Sequence, residues 1–183
     1  MAENKMIIVD PRTFTKEMIP IIVLSDDLRS IIGAVIKTHT SGNYNHAFVI
    51  HEPGFMASQG FAIFKKSPID SYMTSGQVLK FWRIKDMTLS ERITIMRNIA
   101  NRLALPWYKR GYDWLGIFGQ FTRLNFVQNP FQMFCSEQVR RDYIAPIARA
   151  AKVVPQEPSP SDMERIFKQH PEIFEYVGHW MND

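Results

Sequence analysis

Cysteine is almost absent from this sequence: one residue in 183, at position 135. That excludes an internal disulfide and removes the paired Cys or Cys/His spacing of a structural zinc site. A reducing, cytoplasmic setting is the expectation, with no metal or cofactor. Long apolar runs are missing too. The most apolar early stretch, Met18-Ile19-Pro20-Ile21-Ile22-Val23-Leu24, falls far short of the roughly 20 residues that span a bilayer. The opening Met1-Ala2-Glu3-Asn4-Lys5 lacks a basic segment followed by an apolar one, so no signal peptide is expected. Charge of one sign is not concentrated anywhere. The net charge is +4, and the densest basic groups are only pairs: Lys65-Lys66, Lys109-Arg110 and Arg140-Arg141. A nucleic-acid footprint needs a stripe, so no nucleic-acid partner is expected. Repeats and low-complexity tracts are absent.

What is present suits one compact domain over 1–183, since 45% of the residues are hydrophobic. Residues 18–24 read as a strand. Leu28, Ile31, Ile32, Val35 and Ile36 follow at helical spacing. Residues 45–50 form a second apolar strand, His51-Glu52-Pro53-Gly54 a turn, and Phe55 to Phe64 its hairpin partner. Gln77 to Ile84 is a further strand. Thr88 and Glu91 form a capping box for a helix that Pro106 ends. An aromatic stretch from Trp107 to Gly119 leads to a helix at Cys135, which Pro146 kinks or ends. Residues 153–158 are extended by their prolines. Ser159, Pro160 and Asp162 start a last helix as N-cap, N1 and N3. Strand, helix, meander, then mostly helices is an α+β order rather than alternating βαβ.

Cys135 stands where the apolar run Phe131-Gln132-Met133-Phe134 meets an amphipathic helix. A thiolate at a helix start is favoured by the positive end of the macrodipole, and the free N–H groups there can hold an oxyanion. Upstream, His46 lies on the apolar strand Asn45-His46-Ala47-Phe48-Val49-Ile50. A lone Cys and a strand-borne His are a candidate nucleophile and base. The plainer alternative is a small buried thiol acting as a hydrophobe.

Taken together, "NHAFVI", "GYDWLGIFG", "FCSEQV" and "SPSDM" resemble the YiiX-like group of permuted papain-like hydrolases in the broad NlpC superfamily, with lecithin retinol acyltransferase a more distant relative. The likeness covers about residues 18–165 and leaves 166–183 as a C-terminal helical extension. It implies a small antiparallel sheet packed against helices in a circularly permuted papain-like order. It also implies a Cys135–His46 site that cleaves an amide (peptide, isopeptide or cell-wall peptide) through a thioester. Lipid acyl hydrolysis or acyl transfer is the enzymatic alternative. A non-catalytic module of a larger assembly, such as a phage particle, is the alternative of another class; it would make partner proteins, rather than a peptide or acyl substrate, the ligand and the virion the location.

In that family the strand after the His carries a polar residue, often Glu, that orients the imidazole. Here the strand is Phe55-Met56-Ala57-Ser58-Gln59-Gly60, with no carboxylate. A four-residue loop sets His46 opposite Gln59. A two-residue Pro53-Gly54 loop sets it opposite Phe61, with Gln59 still on its face, and only a five-residue loop brings up Ser58. Gln59 is therefore the expected third residue, its carboxamide fixing the ring as an Asn does in a Cys-His-Asn site. Tyr112 is read as a cleft residue or an aromatic core residue, and Asp113 as a cleft residue or an N-cap. His51 reads as a solvated turn histidine, and Glu137 as a first-turn carboxylate suited to the dipole.

Overall fold

The structure, a computed structural model, describes residues 7–27, 43–59, 63–110 and 135–182. The helical pattern expected over 28–36 lies outside them.

Six strands form one antiparallel sheet: β1 (Ile21–Asp27), β2 (His46–Glu52), β3 (Phe55–Gln59), β4 (Phe64–Pro68), β5 (Gln77–Ile84) and β6 (Phe174–Met181), in the spatial order β4-β3-β2-β1-β5-β6. With the helices of the described residues, α1 (Leu89–Ala104), α2 (Cys135–Val139), α3 (Ala148–Val153) and α4 (Pro160–Gln169), the class is α+β. The capping boxes anticipated at Thr88/Glu91 and Ser159/Asp162 both form. Each supplies two backbone donors with partners that the helix itself cannot provide. No helix among the described residues is long and apolar enough to cross a membrane.

Strand side chains alternate, so the sheet carries two cores. Ile22, Leu24, Ala47, Val49, Ala57, Trp82 and Ile84 face the helices, meeting Ile95 and Ile99 of α1, Val139 of α2, and Ile166 and Phe167 of α4. Ile21, Val23, Phe48, Ile50, Met56, Leu79 and Phe81 face the other way, against Phe14, Ile19 and Ile69. Register confirms the division. Leu24 pairs with Ala47 on the helix face and Val23 with Phe48 on the opposite face.

The C-terminal segment corrects an expectation. Residues 166–169 finish α4, but Phe174–Met181 is an edge strand paired to β5, not part of a helical extension. Pro171 restricts the preceding residue and stops helical propagation. Beyond it, Phe174 and Tyr176 face the helices while Val177 and Trp180 reach the opposite core. The free edge of β6 is capped by the N-terminal chain: Val9 N–H donates to the His179 carbonyl at 2.8 Å, and His179 N–H to the Ile7 carbonyl at 2.9 Å. Gly178 makes this approach feasible. Its φ is +149°, and a Cβ there would lie 2.4 Å from Val9 Cγ2 and 2.8 Å from the Ile7 oxygen. Gly178→Ala is expected to release the N-terminal segment and to cost about 1–3 kcal/mol through overpacking and backbone strain. A lower urea midpoint together with faster proteolysis before Pro11 is the check.

Candidate functional site

The hairpin that carries His46 turns at Pro53-Gly54, with Gly54 at φ +74°. Next to the turn, Glu52 pairs with Phe55. That register alone would have kept Gln59 on the His46 face. One residue on, the register shifts: Ile50 pairs with Met56 and Val49 with Ala57, leaving His51 as the extra residue of a β-bulge. The side-chain period is two, so one inserted residue exchanges the faces of everything beyond it. Ser58 therefore joins His46, and Gln59 turns to the helices.

Contacts bear this out. His46 Nε2 lies 2.8 Å from Ser58 Oγ, which is 3.4 Å from the Tyr72 hydroxyl. The Tyr72 ring stacks on His46 at 5.7 Å and 15°. Gln59 instead donates its amide to the Arg110 carbonyl at 3.2 Å. The expectation that Gln59 orients His46 is thus corrected: Ser58 does so, and the bulge at His51 is the reason. His51 is itself not a solvated turn residue. The bulge carries it inward to 3% exposure, and neither ring nitrogen has a hydrogen-bond partner among the described residues, with the Glu52 carboxylate 3.5 Å from Nε2. Burial lowers the pKa of both histidines, to about 4 for His46. An imidazole of that pKa is neutral at pH 7 but a weak general base.

Cys135 is the first described residue of α2, whose described part, Cys135–Val139, continues as a π-helical turn, Arg140–Ile144. Val139, one turn on, packs into the helix-side core, so Cys135 points the same way. It lines a cavity with room for about one water molecule, beside Ala47, Ala57, Gln59, Phe64 and Gln138. Two alanines on neighbouring strands, Ala47 and Ala57, stand beside Cys135 in it. The thiol is 5% exposed. Its helix is anchored by Asp142, which accepts from Gln138 Nε2 at 2.6 Å and forms a two-point ion pair with Arg102 of α1.

The structure therefore gathers the expected site residues into two places. Cys135 and Gln59 share the helix face. His46, paired with Ser25, is on the other face with Ser58 and Tyr72, so the sheet backbone stands between thiol and imidazole. Tyr112 and Asp113 lie outside the described residues. Tyr72 carried no sequence signal, because it reaches Ser58 from a separate 3₁₀ turn, Ile69–Tyr72. Among the described residues, no group of three or more His, Cys, Asp or Glu side chains is placed to hold a metal. In comparisons with known proteins, the sequence matches no family model and no curated protein.

Proposed function

We propose that this chain is a permuted papain-like α+β protein working as a non-catalytic structural or interaction module of a larger assembly, such as a phage particle. One observation carries the reading: the only thiol and the strand histidine lie on opposite faces of the sheet. Proton transfer needs hydrogen-bond reach, and a buried thiol in a one-water cavity offers no place for an acyl group. Support for the fold comes from the resemblance of "NHAFVI", "FCSEQV" and "SPSDM", and from the antiparallel sheet with its helix layer. On this reading Cys135 is a small core residue and His46–Ser58–Tyr72 is a packing chain.

A thiol-dependent amide hydrolase is the second reading, and a different observation favours it. Ser58 holds His46 as an orienting residue would, and Ala47, which lines the Cys135 cavity, is the neighbour of His46. In that case Cys135 would attack a peptide or acyl carbonyl, His46 would shuttle the proton, and water would release the thioester. Alkylation of the native and urea-unfolded protein with iodoacetamide at pH 7, followed by intact mass, tests the choice. The module reading expects labelling of Cys135 only after unfolding, whereas complete labelling of the native protein within minutes would favour the hydrolase.

A further inference from the structure

Between α4 and the strands β5 and β6, and sharing no lining residue with the Cys135 cavity, lies a second cavity of about 330 Å³. That is the lower end of the size range of small-molecule sites. Trp82, Phe167 and Phe174 back the cavity from the core, each 4% exposed or less, and Pro171 and Tyr176 give it its accessible apolar surface. Ring centroids are 5.5 Å apart for Trp82–Phe167, 5.1 Å for Trp82–Tyr176 and 4.3 Å for Phe167–Phe174. Three charged side chains also line it: Lys80, Glu164 and Lys168. Both ammonium groups lie 2.9 Å from the same Glu164 oxygen, which also accepts from the Tyr44 hydroxyl at 3.2 Å. Two cations therefore share one carboxylate, and the trio carries a net charge of +1. Lys80 keeps 28% exposure and Lys168 52%, whereas Glu164 keeps 9%. Each ammonium has three donors, of which Glu164 takes one. Trp82, 4% exposed, has no acceptor for its indole Nε1 among the described residues.

We propose that this cavity binds a small monocarboxylate with an apolar body. The carboxylate would accept from Lys80 and Lys168 beside Glu164, and the hydrocarbon or aromatic part would lie against Pro171 and the Tyr176 ring. The net charge decides the sign of the ligand. An aromatic cage with one carboxylate would suit a quaternary ammonium, but here that carboxylate already holds two lysines, and the charge left over is positive. The site is independent of Cys135, so neither reading of the thiol bears on it.

Calorimetric titration of the full chain with 3-phenylpropionate tests the proposal. Saturable 1:1 binding is expected, with a dissociation constant of about 1 mM or tighter. The uncharged 3-phenylpropanol should bind about tenfold more weakly, and Lys168→Gln should weaken the acid by about tenfold, since each removes a charge-assisted hydrogen bond. Lys168 is half exposed, so this variant is expected to fold; Lys80→Gln with a far-UV spectrum is the second variant. Octanoate and the peptide Gly-Gly-Phe separate a free acid from a chain terminus as source, and tighter binding of either supports the site. No saturation by about 10 mM in any of these acids would overturn it. So would an alcohol that binds as well as the acid, an affinity unchanged by Lys168→Gln, or preferential binding of choline.

Discussion

Asp142→Ala is expected to destabilise the fold by about 3–5 kcal/mol, the largest effect of any single polar substitution considered for this chain. Asp142 is 8% exposed at its side chain and Arg102 13%, so removing the carboxylate strands a guanidinium where water hardly reaches. It also removes the acceptor of Gln138 Nε2 at 2.6 Å, whose Oε1 already has no partner among the described residues. A buried ion pair is itself worth little against a well-packed apolar pair; the penalty comes from breaking one side of it. Urea denaturation should therefore show Arg102→Met/Asp142→Leu regaining most of the loss. Because Asp142 ties α2 to α1, the single variant should also raise exposure of Cys135. A change below about 0.5 kcal/mol would mean that the network is not holding the helix.

The second large effect is on acid stability. Burial lowers His46 from the ordinary value of 6.5 to about 4, and it lowers His51 as well. The folded protein thus resists protonation at pH values where the unfolded chain accepts it. The unfolded state binds more protons, so stability falls as pH falls. For His46 the contribution is intact above pH 6.5, is lost progressively towards pH 4, and is level below that. A shift of this size corresponds to at most about 3 kcal/mol, reduced because the ring keeps part of its exposure. His51 acts in the same direction, with the Glu52 carboxylate 3.5 Å away opposing its shift and Lys66 adding to it. His46→Phe keeps a ring beside Tyr72 and removes the proton. Its stability, measured from pH 7 to pH 4, should fall less steeply than that of the parent protein by about one bound proton. Parallel curves would mean that His46 titrates alike in both states.

Much of the fold was legible in the sequence, because it rests on local signals. Gln77 to Ile84, with Val78, Phe81 and Trp82 supplying bulk, forms β5; Thr88/Glu91 and Ser159/Asp162 each cap the helix that they announce. The C-terminal strand was missed although Phe174, Tyr176 and Trp180 have strand character; its pairing partner, β5, lies about 90 positions away, and no local pattern reveals it. The candidate site was legible in residue type and not in placement. Ser58 and Gln59 are adjacent, and which of them meets His46 depends on a single bulged residue. The turn Pro53-Gly54 was readable, but the bulge at His51, next to it, has no local sequence signature. The face of His46 itself is set separately, by its alternation along β2 with Ala47 and Val49, which take the helix face on which Cys135 lies.

The most direct measurement of that separation is the pH dependence of Cys135 alkylation by iodoacetamide in the parent protein and in His46→Ala. With the sheet between them, imidazole and thiol do not share a proton. Native labelling should be slow in both proteins, the two profiles should superimpose, and any reactivity should rise only near or above the ordinary thiol pKa of about 8.5. Fast labelling that persists below about pH 7 in the parent and moves to higher pH in His46→Ala would contradict the account and restore the Cys135–His46 hydrolase.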